Sequence, residues 1–196
     1  MKHAFSLIAL VAAVPALAED TRQLDAHEHG VGALNIAIEG TTVAMEFHAP
    51  GADIVGFEYA AESEADRAAV DAAVATLATP LDLFAMPAAA ECSVTQASAK
   101  LESEEDRDEH TDHGEHEEHD DHAAHDDHAD DAGHTEFHAE YMLTCAKPDT
   151  LTEITFTYFD RFENARELEV QIITSAGAQA FEVERGAPKL DLRSLF

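Results

Sequence analysis

The chain has 196 residues, room for one well-cored domain and little more. Its 41 acidic residues against 11 basic ones give a formal net charge of −30 at pH 7. Such a balance repels nucleic-acid phosphates and anionic membrane surfaces and draws cations, so no nucleic-acid partner is expected.

The first residues carry an export pattern. Lys2 and His3 supply a short positive end, Phe5 to Val14 form an apolar run, and Ala16-Leu17-Ala18 gives an A-x-A cleavage site. This predicts a cleaved Sec-type signal peptide over residues 1–18 and a periplasmic mature protein. The rival reading, an uncleaved anchor helix, is opposed by a run too short to span a bilayer comfortably. No later segment is long and apolar enough for stable membrane insertion. Export also governs Cys92 and Cys145. An even pair in an oxidising compartment defaults to a disulfide, whose closed loop would stabilise the fold by about 3–5 kcal/mol. The rival, a thiolate metal pair, lacks CxxC-type spacing.

From Gly32 to His48 the chain reads as a β-hairpin. Leu34, Ile36 and Ile38 alternate with polar or small residues, as do Val43, Met45 and Phe47, and Gly40-Thr41 marks the turn. Pro50-Gly51 breaks the pattern. Ser63 then caps a helix over 64–77, with Glu64 and Asp66 in its first turn and Ala69, Val70, Ala73, Val74 and Leu77 at helical spacing. Pro80 stops it, and Leu81 to Met86 adds one helical turn. Strand character returns around Cys92 and runs toward Leu101. In Glu136 to Cys145 one face carries Glu136, His138 and Glu140, the other Phe137, Tyr141, Leu143 and Cys145. Strands over 152–159, 168–174 and 179–184 follow on short connections, which predicts an antiparallel meander with turns near Asn164 and Gly177. The expected fold class is α+β. Residues 19–101 and 134–196 form a single domain, an antiparallel β-sheet body with one main helix. A disordered His/Asp/Glu-rich insertion over 102–133 separates two of its strands, because that stretch has almost no large apolar residue to bury.

Within the insertion, His110, His113, His116, His119, His122, His125 and His128 recur every three residues among aspartates and glutamates. Imidazole suits zinc, copper, nickel and iron, and neighbouring carboxylates concentrate cations and fill open coordination positions. An acidic linker needs no histidine for solubility, so the regular series points to divalent metal capture, with Zn2+ favoured over Cu2+, Ni2+ or Co2+. At three or four ligands per ion the tract would hold roughly two or three zinc ions.

A second, ordered constellation is expected at the open end of the first hairpin. His27-Glu28-His29-Gly30 precedes its first strand and His48 ends its second, which brings His27, His29 and His48 to one edge. His134 or His138 reaches the same edge from the tract, and Glu140 would complete a tetrahedral set. The competing reading leaves His48 in solvent and His27 and His29 in a frayed terminus.

The residues also carry a family resemblance. His27-x-His29-Gly30 before the Leu34–Ile38 strand, Pro50, Gly56-Phe57-Glu58 and Ala88-Ala89-Ala90-x-Cys92 resemble the ZrgA-like family of zinc-regulated periplasmic proteins. The His/Asp tract, His138-Ala139-Glu140-Tyr141-x-x-x-Cys145 and the Phe159/Phe162 pair continue the likeness over essentially the whole mature chain. The resemblance implies an accessory zinc scavenger or chaperone that supports an ABC-type zinc importer or its substrate-binding protein. A periplasmic buffer or detoxification protein for excess zinc, copper or nickel is the alternative. No HExxH, no G-x-S-x-G and no nucleophile–base pair is present, so no enzyme activity is expected.

Overall fold

A computed structural model describes residues 28–103 and 134–195; the signal-peptide reading, His27 and the tract histidines His110 to His128 fall outside them. The described chain builds two sheets. Strands β1 (Val31–Glu39), β2 (Thr42–Pro50), β4 (Cys92–Ser103), β5 (Thr135–Cys145), β7 (Glu167–Thr174) and β8 (Gly177–Glu184) form the larger one, in the order β4-β5-β2-β1-β7-β8. Strands β3 (Phe84–Ala85), β6 (Glu153–Phe156) and β9 (Lys189–Asp191) form the smaller, in the order β3-β6-β9.

The period-2 pattern of the first hairpin becomes its two faces. Leu34, Ile36, Val43, Met45 and Phe47 are buried, and the residues between them face outward. On β5 the buried set is Phe137, Ala139, Tyr141, Leu143 and Cys145, and on β7 it is Leu168, Val170 and Ile172. This inner face packs on one apolar cluster with Leu77, Leu83, Phe84, Ile154, Phe156 and Tyr158. The outer face of the larger sheet is therefore left for polar chemistry.

One long helix is present among the described residues, α2 (Glu64–Leu77). Ser63 caps it reciprocally with Asp66: Asp66 N–H donates to Ser63 Oγ at 3.0 Å, and Ser63 N–H donates to Asp66 Oδ2 at 3.3 Å. The segment after Pro80 divides into a single turn, α3 (Pro80–Leu83), and the short β3.

Two expectations are corrected. The strands after β5 are no antiparallel meander. β6 joins the smaller sheet, and β7 pairs with β1 in parallel. The cause lies in the residues just after β6, where Tyr158, Phe159 and Phe162 bury at helical spacing and fold as α4 (Tyr158–Arg161), redirecting the chain. Arg185 secures that corner, its Nε–H donating to the Ala165 carbonyl at 2.9 Å and its guanidinium to the Phe159 carbonyl at 2.5 Å. Secondly, β4 continues through Ser103, so Glu102 belongs to the body and not to the insertion.

Cys92 and Cys145 are direct cross-strand partners and form a disulfide. The β4–β5 pairing then runs unbroken, apart from a bulge at Val94/Gln96, down to Ser103 opposite Thr135. Residues 104–133, which carry the histidine tract, therefore connect the paired ends of β4 and β5. The disulfide closes the end opposite the tract.

Candidate metal centre

Strand register assembles the centre. His48 on β2 lies opposite His138 on β5, and Lys100 on β4 lies opposite His138 from the other side. One pleat toward the tract, Glu136 stands between Pro50 and Glu102; one pleat away, Glu140 stands between Glu46 and Ser98. All these even-numbered positions project from the outer face, since their odd-numbered neighbours are buried in the core on β2 and β5 and partly buried against it on β4.

The two imidazoles meet edge to face, with ring centroids 4.1 Å apart. Glu136 lies against both: its Oε2 is 2.6 Å from His138 Nε2 and 3.8 Å from His48 Nδ1. Ligand atoms of His48, Glu136 and His138 all fall within 4.8 Å of one another. Tetrahedral zinc with bonds of about 2.0–2.2 Å needs ligand atoms roughly 3.3 Å apart, so small side-chain rotations would close this set on one ion. Two imidazole nitrogens and one carboxylate oxygen make a donor set of the zinc type.

The surroundings favour a cation and orient the ligands. His48 Nε2 faces Glu46 Oε1 at 3.1 Å, leaving Nδ1 toward Glu136. A carboxylate on the remote nitrogen fixes the ring and raises its basicity, as it does around many bound metals. Glu102 Oε2 lies 3.2 Å from His138 Nε2, and its other oxygen pairs with Lys100. The Glu136 side chain is 9% exposed. A carboxylate so far from water gains most when a cation joins it.

His29 goes elsewhere. Gly30 adopts a φ of +94°, and its N–H donates to buried Asp53 Oδ1 at 2.7 Å. The chain ahead of β1 is thereby drawn toward α1 (Gly51–Ile54), and His29 Nε2 meets Glu58 Oε1 at 3.0 Å. His134, at the foot of β5, places Nδ1 2.9 Å from Glu58 Oε2. Burial alone would push the Glu58 carboxyl up, but hydrogen bonds from His134 and His29 outweigh it and hold it below its ordinary value. Asp53 moves the other way, raised chiefly by burial against the lowering effect of the Gly30 hydrogen bond.

The expected single edge site is therefore divided. His48 and His138 share one carboxylate, while His29 and His134 share another; His27 and the seven tract histidines lie outside the described residues. Glu140 shares the outer face but stands outside the three-residue group, whose carboxylate is Glu136. Sequence reasoning passed over Glu136, Glu102, Glu46 and Glu58 as site residues. The Glu136-x-His138 alternation was the available signal.

A family model described as ZrgA family zinc uptake protein matches residues 26–192, nearly the whole chain. The chain belongs to the ZrgA family. That membership implies a role in zinc uptake and points to zinc as the metal, and the donor set on the outer face is of a kind that could hold such an ion. No curated protein matches the chain. Among the described residues no helix is long and apolar enough to cross a membrane.

Proposed function

We propose that this ZrgA family chain is a periplasmic zinc-capture protein that serves an ABC-type importer without catalysing a reaction. The tract gathers ions, the His48–Glu136–His138 centre holds one in fixed geometry, and the ion passes from there to the importer or its substrate-binding protein. The observation that carries this reading is position. His138 and the buried Glu136 lie on β5, one strand of the β4–β5 hairpin that the tract connects, His48 meets them from the neighbouring β2, and Glu136 is only two residues from His134. Pre-organised ligands bind more tightly than ligands that must be collected from a polar segment, so the order of affinity runs from tract to body.

Zinc titration against a competing chelator tests it. The chain with His110 to His128 all changed to Asn is expected to keep a tight site that disappears on adding His48→Ala and His138→Ala. Loss of all tight binding with the tract histidines alone would reduce the body to a scaffold and make buffering the better account. A delivery role further predicts that the loaded protein hands zinc to an importer's substrate-binding protein faster than zinc dissociates spontaneously. Transfer no faster than free release would rule delivery out.

A further inference from the structure

Four histidines lie among the described residues, and all four stand against carboxylates: His48 and His138 at the central group, His29 and His134 on Glu58. The second cluster is built from three separate parts of the chain. His29 precedes β1, Glu58 follows α1, and His134 is the residue before β5. Glu58 is 14% exposed at its side chain, and its ion-pair partners are these two imidazoles, one on each oxygen. A carboxylate this sheltered from water ordinarily takes Lys or Arg. Here it holds two metal-type ligands at 3.0 and 2.9 Å, close to the roughly 3.3 Å that separates ligands around tetrahedral zinc.

From this arrangement we propose that His29, Glu58 and His134 form a second divalent-metal site, distinct from the central one and open to solvent. It rests on the zinc reading of the chain but not on the central centre. The two imidazoles are 65% and 59% exposed at their side chains and rest on separate oxygens of Glu58; the three do not converge as the central group does, so binding a shared ion requires both rings to turn toward it. A second carboxylate lies at hand. Asp53 lines the same cleft as His29, and its Oδ2 accepts no hydrogen bond among the described residues. Arg166 also lines that cleft and opposes a cation there. Its single charge is set against two carboxyl groups lining the same cleft, Asp53 and Glu163.

Exposure assigns the role. A site whose rings must be ordered on binding is weaker and exchanges faster than one whose ligands are held by a sheet. Because His134 joins the tract directly to β5, the second site stands where an ion leaving the tract first meets the body. The central site, two to four residues along the same strand, is the next stop. The ligand class is a borderline divalent ion, with zinc the member this family handles.

The test uses the full chain with the seven tract histidines changed to Asn, titrated with zinc alone against a chelator. Two ions per chain are expected, the second roughly tenfold or more weaker. His29→Ala with His134→Ala should remove the weaker ion and leave the tighter, whereas His48→Ala with His138→Ala should remove the tighter and leave the weaker. Imidazole nitrogen shifts in the parent, which need no further variant, should move at His29 and His134 as the second equivalent is added. One ion per chain, or an unchanged second equivalent in the His29/His134 variant, would overturn the second site while the central one stood. Loss of an ion in that variant with none lost in the His48/His138 variant would support the second site and refute the central one.

Discussion

Replacing Cys92 and Cys145 together by Ala separates what holds the fold from what holds the metal. The disulfide spans 53 residues of sequence, and a loop of that length confers about 4 kcal/mol through the entropy it removes from the unfolded chain. With a urea m value of about 2 kcal/mol/M, the unfolding midpoint should fall by roughly 2 M. Some of that effect belongs to the tract. Removing residues 104–133 would shorten the closed loop to roughly 23 residues and lower the disulfide's contribution by about 0.7 kcal/mol. Zinc should report the opposite pattern. From Cys145 back to His138 the strand advances seven residues, about 24 Å at 3.4 Å per residue, so the centre lies far from the lost sulfurs. Urea titration followed by circular dichroism and zinc competition in native buffer measure the two effects on one sample. A folded variant with zinc affinity reduced tenfold would refute the separation and bring the cysteines into the metal chemistry. A midpoint shift below about 0.5 M would refute the loop-closure argument.

Three further predictions follow from the site and its supports. Glu136→Gln keeps the shape of the centre but removes the charge between His48 and His138; zinc affinity measured by chelator competition should fall more than the roughly 10–100-fold typical of losing an outer partner of a metal ligand. Gly51→Ala places a Cβ 2.5 Å from Thr135 Oγ1 and 2.6 Å from the Phe57 carbonyl, so it should cost about 1–3 kcal/mol in thermal or urea unfolding and weaken zinc binding by displacing the foot of β5. Asp53 has a folded-state pKa raised above its ordinary value, so the native state binds the extra proton and stability falls as pH rises through the window between the two values. Asp53→Asn keeps an acceptor for Gly30 and should flatten that fall, its advantage over the parent growing with pH, while Asp53→Ala strands the Gly30 N–H and should cost about 1–3 kcal/mol at every pH tested.

Local pattern was legible in the sequence wherever one face of an element is buried. The alternation of Leu34, Ile36 and Ile38 and the Ser63 cap translate directly into β1 and α2. The distribution of strands between two sheets was hidden, because a parallel partner such as β7 for β1 leaves no period in either strand. The centre shows the same boundary. Glu136 and Glu140 are equivalent in sequence, each two residues from His138 and on its face of the strand. Only the pairing with β2 breaks the symmetry, setting Glu136 opposite Pro50, where it is sheltered, and Glu140 opposite Glu46, where it is exposed. His29 was misplaced for a related reason: the hydrogen bond that draws its neighbour Gly30 to Asp53 joins residues 23 apart, a contact no local rule anticipates.

Capture and storage differ in one ratio that this arrangement makes measurable. His128 and His134 are six residues apart in sequence, so an ion on the tract faces the body at an effective concentration on the order of millimolar. Exchange between them is then independent of protein concentration and set by relative affinity alone. Seven histidines at three or four per ion make about two competing tract sites. A body site tenfold tighter, a difference of about 1.4 kcal/mol, would hold the first ion about five times as often as the tract does, and the ion would be presented in one geometry to an importer component. With equal affinities the tract would hold it about two times in three, and no single geometry would exist for a partner to recognise. The buried Glu136 and the sheet-held histidine pair are the features that tilt this ratio toward the body. Delivery therefore requires the centre to fill before the tract, and a tract that fills first would make the protein a buffer despite its well-formed centre.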